Sequence, residues 1–253
     1  MSLVSVIIPY FRKKEFILSC INSILKQTYQ NFEIIIVNDE CSDESRLILK
    51  KITNLDSRIK VINNINNLGP GLSRNIGVKK SNGEFLAFID ADDEWDSRKL
   101  KFQVQFMKKK GVLFTHTSYL IVNNQNKLIG KSSVKRFIRY EDLISSCDIG
   151  LSTVMISSKI KKEINFSSLK TKEDYVLWLN LSKKYTLYGI NRFYTNWRNL
   201  NSSISSSIYR RIIDAFFVYY FFEKFSLIKS IFLLLNLSLF SIKKKYNQYI
   251  IKY

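Results

Sequence analysis

Short apolar runs alternate with helix-like segments through the first 110 residues of the chain. The runs occupy residues 3–9, 32–37, 58–62 and 83–90. An apolar run without polar alternation leaves no face for solvent, which is typical of a buried strand. Between the runs, apolar residues recur at helical spacing, as at Ile17, Ile21 and Ile24. This alternation, repeated four times, predicts an α/β fold in which helices flank a mostly parallel sheet with right-handed crossovers.

Three of the predicted strands end in short segments that contain polar residues. These segments are Pro9-Tyr10, Asn38-Asp39 and Asp90-Ala91-Asp92. Ligands of open α/β sheets bind beyond the carboxyl ends of the strands. Because neighbouring parallel strands end at the same edge of the sheet, we expect these side chains to converge on one crevice.

The fourth apolar run leads into five carboxylates within seven residues, namely Asp90, Asp92, Asp93, Glu94 and Asp96. Such a cluster repels itself unless a cation lies in it. Carboxylate oxygens at a strand end suit a hard divalent ion that also holds phosphates. The alternative is that Asp96 or Ser97 caps the next helix and that the other acids are solvated. The convergence of the strand ends favours the metal site.

The second half of the chain is less regular. The pattern predicts strands at residues 112–117, 119–122 and 153–156, a short helix at 140–146 and a buried helix at 173–181. A serine-rich hinge at 202–207 precedes a segment that reads as helical from residue 208 onward. We therefore expect one domain over residues 1–205 and a helical tail over residues 206–253.

The charge balance changes the picture, because 40 Lys and Arg face 21 Asp and Glu and give a net charge of +19. This excess requires an anionic partner, and nucleic acid, nucleotide phosphates and an anionic membrane all qualify. The cysteines Cys20, Cys41 and Cys147 lack metal-site spacing, and their odd number fits a reduced compartment. The chain begins with an apolar strand instead of a signal peptide, so we expect a cytoplasmic protein.

The tail combines apolar bulk with basic residues. Residues 215–222 and 227–242 are heavily apolar, and Lys243-Lys244-Lys245 follow directly. Its longest apolar stretch, 231–240, is shorter than the roughly 20 residues that cross a bilayer. This composition suits a helix that lies in an anionic membrane interface. The alternative is a helical pair packed on the main domain.

Five stretches match, in order, the motifs of one enzyme family. They are residues 4–10 (VSVIIPY), 27–39 (QTYQNFEIIIVND), 71–77 (GLSRNIG), 90–93 (DADD) and 172–179 (KEDYVLWL). On these motifs the chain resembles the family 2 glycosyltransferases, which use nucleotide sugars and have the Rossmann-like GT-A fold. The resemblance implies a nucleotide-binding half over about residues 1–110 and an acceptor-binding half over about 111–205. Asn38 and Glu40 depart from the Asp and Gly that the family commonly has there.

The resemblance also implies a nucleotide site. Pro9, Tyr10 and Asp39 would frame the nucleobase, with Asp39 accepting a hydrogen bond from the uracil imide. Arg74 would reach the uracil or the diphosphate. Asp90 and Ala91 would contact the nucleotide, while the metal ligands would be Asp92, Asp90 and, with less support, Asp93. The alternatives are that Asp39 closes the turn after its strand and that Arg74 forms a surface ion pair.

Asp174 is the predicted general base, paired with Glu173 before the buried helix. An inverting transfer needs one carboxylate that takes the proton from the acceptor hydroxyl. The spacing from Thr171 to Asp174 also fits a capping box, which is the structural alternative. Trp197 and Arg198 are predicted, on weaker grounds, to contact the diphosphate. His116, the single histidine of the chain, is expected to be structural.

The sequence thus predicts a Mn²⁺- or Mg²⁺-dependent, inverting glycosyltransferase. It would move a sugar from a UDP-sugar to a glycan or lipid-linked acceptor in surface polysaccharide or lipopolysaccharide synthesis, as a peripheral protein on the inner face of the membrane. A sugar-1-phosphate nucleotidyltransferase is the alternative enzyme, although the loop after Pro9 lacks the glycines of that class. A basic nucleic-acid-binding protein is the non-enzymatic alternative. The acidic crevice would repel nucleic acid, so we expect no such partner.

Overall fold

The structure is a computed structural model that describes residues 1–146, 148–200 and 208–248. Its strands are β1 (Val4–Tyr10), β2 (Phe32–Asn38), β3 (Ile59–Asn63), β4 (Phe85–Phe88), β5 (Glu94–Trp95), β6 (Phe114–Val122), β7 (Leu128–Ser132), β8 (Phe137–Ile138), β9 (Met155–Ser157) and β10 (Leu187–Arg198). Its helices are α1 (Ile17–Leu25), α2 (Asp43–Thr53), α3 (Pro70–Lys80), α4 (Lys99–Lys110), α5 (Tyr140–Leu143), α6 (Glu173–Ser182), α7 (Ile208–Phe217) and α8 (Leu227–Gln248). Cys147, the predicted serine-rich hinge and the predicted domain boundary at residue 205 lie outside the described residues.

All ten strands form one sheet in the order β3-β2-β1-β4-β9-β6-β10-β5, with β7 paired to β6 and β8 to β10. The predicted parallel pairing holds from β3 to β4 and returns between β6 and β10. Between these two parallel groups, β9 runs antiparallel to both β4 and β6. The sheet therefore has a parallel nucleotide-binding half, as expected, and a mixed second half.

Three local predictions need correction. Residues 112–117 and 119–122 are not separate strands, because β6 continues through Ser118, whose hydroxyl donates to Asn191 Oδ1 at 2.9 Å. That bond satisfies the polar residue inside the sheet. The short helix predicted to reach residue 146 ends at Leu143. Strand β5 was missed, since two residues carry no periodicity, and it pairs Trp95 with Thr195 of β10.

Helices α2 and α4 begin in different ways. Ser42 caps α2, because its hydroxyl accepts the Ser45 N–H at 3.1 Å. Helix α4 instead begins after Arg98, without a side-chain cap. Asp96 nevertheless accepts the Arg98 N–H at 2.9 Å and so orders the turn before the helix. The alternative of a helix cap at Asp96 or Ser97 therefore lies one or two residues before the observed N-cap position, Arg98.

The sheet separates two apolar cores. Alternate residues of β1 face opposite sides, so that Ile7 joins one core while Val6 and Ile8 join the other. Helices α1, α2 and α4 cover the Val6 side, and α3, α6 and the C-terminal helices cover the Ile7 side. This three-layer arrangement places the carboxyl ends of β1, β2 and β4 at one edge, between the two helical layers.

The C-terminal helices pack on the domain with one face. Ala215, Val218, Tyr219, Leu233 and Leu237 are buried in the same core as α6. A π-helical segment, Val218–Phe222, joins α7 to the turn before α8. The helical prediction for this segment is therefore confirmed, and so is the packing alternative for this face. Within the described ranges, no helix combines the length and hydropathy needed to span a bilayer.

Candidate active site

The three aspartates that follow β4 have different environments. The Asp93 N–H donates to the Asp90 carbonyl at 3.0 Å and closes a tight turn. Asp90 remains about one-third exposed, with 35% of its side chain accessible, while Asp92 is 13% accessible. Asp93 is buried. The turn thus directs two carboxylates toward the crevice and one into the protein.

Asp93 anchors the wall of the site. Its Oδ1 accepts the Arg198 N–H at 2.8 Å, and its Oδ2 accepts the Ser152 hydroxyl at 2.5 Å. The same Ser152 oxygen accepts the Asp90 N–H at 3.0 Å. Burial raises the pKa of Asp93 well above its usual range, and the charges of Asp92 and Asp90 add to the rise. Each oxygen of Asp93 accepts one hydrogen bond from the wall of the site, and its role as a metal ligand stays a prediction.

Arg74 joins two carboxylates inside the protein. Its Nη2 donates to Asp90 Oδ1 at 2.7 Å, and its Nη1 donates to Glu173 Oε1 at 2.6 Å. Burial acts to lower the Arg74 pKa, but the two carboxylates outweigh it and raise the pKa. Helix α3 can hold Arg74 here because it approaches β1 closely, and a Cβ at Gly77 would lie 2.5 Å from Ile7 Cγ2. The ion pair that was the alternative for Arg74 is therefore buried and joins two carboxylates, while its contact with the uracil or the diphosphate stays a prediction.

Glu173 and Asp174 open α6, as predicted, but the capping box does not form. The Thr171 hydroxyl donates to Asp214 of α7 at 2.7 Å, and Lys172 precedes the helix with a left-handed φ of 67°. Asp174 Oδ1 accepts the Tyr175 N–H at 2.8 Å. The helix thus begins with two carboxylates that are held by backbone geometry and by Arg74.

Burial raises the pKa of both α6 carboxylates. For Glu173, Arg74 opposes the rise and Asp174 adds to it. For Asp174, the charges of Arg74 and Lys172 oppose the rise, and Asp90 adds to it. A carboxylate with a raised pKa is a stronger base, which suits proton abstraction near neutral pH. Arg74 contacts both Asp90 and Glu173, so the two carboxylate groups lie close together.

Asp39 closes the loop before α3. Its Oδ1 accepts from Leu68 N–H and Asn64 Nδ2, and its Oδ2 accepts from Gly69 N–H, each at 2.8 Å. The alternative from the sequence was that Asp39 closes the turn after β2, but its partners lie in the loop before α3. A carboxylate offers about four acceptor sites, so a further donor can still be accommodated. The uracil contact of Asp39 therefore stays a prediction.

The ends of β1 and β2 border a cavity of about 400 Å³. Pro9 pairs with Val37 and Tyr10 with Asn38, so the two strands end level. The cavity is lined by Tyr10, Arg12, Lys13, Lys14, Glu15, Phe16, Glu40, Glu44 and Ile48. Burial raises the pKa of Tyr10 to about 12, with Glu40 and Glu44 adding to the rise.

Lys13 is a site residue that sequence reasoning missed. Its Nζ lies 2.7 Å from Asp92 Oδ2. The available signal was the basic run Arg12-Lys13-Lys14 directly after the first strand end. The motif comparison gave that run no role, because the run lies outside the five matched stretches.

Arg198 is structural. It donates to the Asp92 carbonyl at 2.8 Å, to Glu94 Oε1 at 2.9 Å and to the carbonyls of Asn123 and Asn124. Most of its guanidinium donors are engaged and 4% of the residue is exposed, so Arg198 holds the wall of the site. Its diphosphate contact stays a prediction.

Two further predicted residues lie in the second half of the sheet. Trp197 is half-buried, and its ring packs edge-on against Tyr119 at 6.2 Å. His116 is fully buried on β6 beside Phe114, an environment that suits the structural role expected of it.

The donor set fits a divalent ion that arrives with a nucleotide. Within the described residues, no group of three or more His, Cys, Asp or Glu side chains could hold a metal ion. Mg²⁺ at nucleotide sites commonly takes one or two carboxylates and completes its shell with water and substrate phosphates. Asp90 and Asp92 provide such a pair at the open side of the turn.

Comparisons with known proteins show what the chain is similar to. The family model "Glycosyl transferase family 2" matches residues 5–162. A Bacillus subtilis (strain 168) protein named for teichuronic acid biosynthesis, TuaG, is 31% identical over 96% of this chain and 97% of its own length. Escherichia coli WfgD, a UDP-Glc:alpha-D-GlcNAc-diphosphoundecaprenol beta-1,3-glucosyltransferase, is 35% identical over 83% of this chain and 82% of its own. The fold matches S. aureus TarS 1-349 in complex with UDP-GlcNAc, with a TM-score of 0.73, 23% identity and coverage of 92% of this chain and 70% of that one.

Proposed function

The chain belongs to glycosyltransferase family 2, and we propose that it transfers a sugar from a UDP-sugar to a lipid-linked glycan acceptor in surface polysaccharide or lipopolysaccharide synthesis. Family membership makes it a transferase and favours this reaction over nucleotidyl transfer or nucleic-acid binding. The name of WfgD specifies a UDP-Glc donor and a diphosphoundecaprenol-linked acceptor. That relative supports both substrate classes for this chain.

The observation that carries the proposal is the bridge that Arg74 makes between two carboxylate groups. Asp90 and Asp92 lie at the end of β4, Glu173 and Asp174 lie at the start of α6, and Arg74 connects the groups. One group suits a nucleotide diphosphate with its cation, and the other suits an acceptor hydroxyl. A sugar held between them would have its anomeric carbon next to both.

In the proposed inverting reaction, Asp174 accepts the proton of the acceptor hydroxyl as its oxygen bonds to the anomeric carbon. The bond between that carbon and the diphosphate oxygen breaks, and UDP leaves with the electron pair. Mn²⁺ or Mg²⁺ held by Asp90 and Asp92 would neutralise the charge that develops on the leaving diphosphate. Glu173, bonded to Arg74, positions the start of α6.

UDP release from a panel of UDP-sugars, with a lipid diphosphate-linked acceptor, tests this proposal. We expect Asp174→Asn to lower kcat by about 10²- to 10⁴-fold. Glu141→Gln, an exposed acid on α5, is the matched control and should keep full activity. Near-normal transfer by a folded D174N variant would exclude this base. Turnover that persists in EDTA would exclude the metal.

We also propose that the C-terminal helices hold the enzyme at the anionic inner face of the membrane, next to a lipid-linked acceptor. Helix α8 buries Leu233 and Leu237 on one side. Its opposite side exposes a stripe at helical spacing, namely Ile228, Phe232, Leu235, Leu239 and Ile242. Phe221 and Phe222, in the π-helical segment before α8, are exposed as well. A contiguous apolar patch followed by a Lys cluster is typical of an interfacial helix.

Flotation with anionic vesicles at low salt tests the membrane proposal. Replacing Ile228, Phe232 and Leu235 together by Ser removes exposed apolar area and leaves the buried face of α8 intact. We expect this variant to stay with the soluble fraction. Leu47→Ser, an equally exposed apolar residue on α2, should float like the wild type. A wild-type protein that does not float with these vesicles would contradict the proposal.

A further inference from the structure

Lys13 and Asp92 form an ion pair at the mouth of the crevice. The ammonium lies 2.7 Å from Asp92 Oδ2, with 22% of the Lys13 side chain and 13% of the Asp92 side chain exposed. The Lys13 carbonyl accepts the N–H groups of Phe16 and Ile17, each at 3.0 Å, which fixes its backbone at the start of α1. The Lys13 backbone is therefore held in place, while its ammonium pairs with a carboxylate that suits a divalent ion.

Lys13 can exchange partners, whereas the two arginines at this site cannot. Arg74 is held by two carboxylates, and Arg198 is held by several carbonyls and Glu94. Lysine carries its charge on a flexible four-carbon stem and binds as a point charge. Lys13 also lines the cavity between β1 and α2, so its side chain has space beyond Asp92. A divalent ion that takes Asp92 Oδ2 as a ligand must displace this ammonium.

We propose that Lys13 is an exchangeable counter-cation of Asp92, which competes with the divalent ion when the donor is absent and turns to the diphosphate when the ion takes its place. This inference rests on the proposed metal-dependent function. It explains how the Asp90 and Asp92 carboxylates stay compatible with an anionic donor before the ion arrives, because Lys13 neutralises Asp92. It also makes ion and nucleotide bind together, since the displaced ammonium gains a phosphate partner.

Titration of the nucleotide-free protein with Mn²⁺, followed by electron paramagnetic resonance of the free ion, tests the competition directly. Lys13→Gln removes the competitor, and we expect it to tighten Mn²⁺ binding by about tenfold, which corresponds to about 1.4 kcal/mol. Lys14→Gln removes the same charge from a neighbouring pair with Glu44, 3.0 Å apart and exposed. This control should leave Mn²⁺ affinity close to that of the wild type.

A second arm measures UDP binding in EDTA by calorimetry. Here K13Q should bind UDP more weakly than the wild type and K14Q should not, because without an ion only Lys13 neutralises Asp92 and so limits its repulsion of the diphosphate. In an Asp92→Asn background, K13Q should no longer change Mn²⁺ affinity, since the shared carboxylate is gone.

The outcomes separate this inference from the proposed function. The role of Lys13 would be overturned if K13Q binds Mn²⁺ without nucleotide as tightly as the wild type does. If the wild type still binds Mn²⁺ with UDP, the metal-dependent reaction would remain supported. Equal effects of K13Q and K14Q would also overturn it, because they would indicate only long-range charge. Wild type that binds no Mn²⁺ even with UDP would overturn both proposals.

Discussion

Replacing Arg74 by Met should destabilise the protein strongly and in a pH-dependent way. The guanidinium donates to Asp90 at 2.7 Å and to Glu173 at 2.6 Å, and 4% of its side chain is exposed. Removing one partner of a buried ion pair costs about 3–5 kcal/mol, because the remaining charge is left without compensation. Two carboxylates lose their partner here, so we expect R74M to reach at least the lower end of that range.

The pH dependence follows from Glu173. Burial already raises its pKa, and Arg74 is the group that most strongly opposes the rise. Without Arg74 the folded-state pKa increases further above the unfolded value of about 4.3. The folded protein then holds a proton that the unfolded chain has released, so its stability falls as pH rises through this window. The cost of R74M should therefore be larger at about pH 8 than at about pH 5.

Denaturant unfolding at both pH values, followed by tryptophan fluorescence, measures this cost. Arg46→Met is the matched control, because Arg46 pairs with Asp43 on the surface with 51% of its side chain exposed. We expect the control to change stability by about 0–1 kcal/mol at either pH. Adding Glu173→Gln to R74M should restore part of the loss by removing one unpaired charge. An R74M cost that is pH-independent, and that E173Q does not reduce, would refute the buried bridge.

Two further predictions concern residues around the aspartate turn. Ser152→Ala removes the hydroxyl that donates to Asp93 and accepts the Asp90 N–H. We expect the free energy of unfolding to fall by about 1–3 kcal/mol and Mn²⁺–UDP binding to weaken. An unchanged denaturant unfolding curve and an unchanged calorimetric affinity would contradict this prediction. Burial lowers the pKa of Lys99 well below its usual range, so the folded protein binds this proton less tightly than the unfolded chain, and the contribution of Lys99 to stability rises with pH up to about 10.4. Lys99→Met should remove this contribution in unfolding measured at about pH 7 and about pH 9.5, and an unaltered slope would argue against a lowered Lys99 pKa.

The strand ends were predictable because their causes are local or topological. An apolar run shows a buried strand within a few residues, and the rule for ligand sites in α/β sheets then places the residues after β1, β2 and β4 at one edge. Asp39, Asp90 and Asp92 follow from this reasoning. Asp174 required the family motif, since nothing in the local pattern separates a base from a first-turn acid.

The partners of these residues were not predictable, because they are distant in sequence. Glu173 lies 99 residues from Arg74, and Ser152 lies 59 residues from Asp93. The periodicity of the sequence does not indicate which buried donor pairs with which carboxylate. It also does not indicate whether an ion pair is exposed or buried. Arg198 is a further example. Its positive charge suggested a contact with a phosphate, whereas its hydrogen-bond partners, which are distant in sequence, make it part of the wall of the site.

One short turn therefore divides its three carboxylates among three tasks. Asp93 anchors the turn to Ser152 and to the backbone of Arg198, and Asp92 faces an exchangeable cation. Asp90 shares Arg74 with Glu173 and so ties the end of β4 to the start of α6. Misplacing a reacting group by about 1 Å can lower the rate by about 10²-fold. Arg74 therefore contributes more by holding Asp90 and Glu173 in a fixed relative position than either ion pair would contribute alone. A guanidinium serves here better than an ammonium, since its planar fork sets the direction of both carboxylates at once.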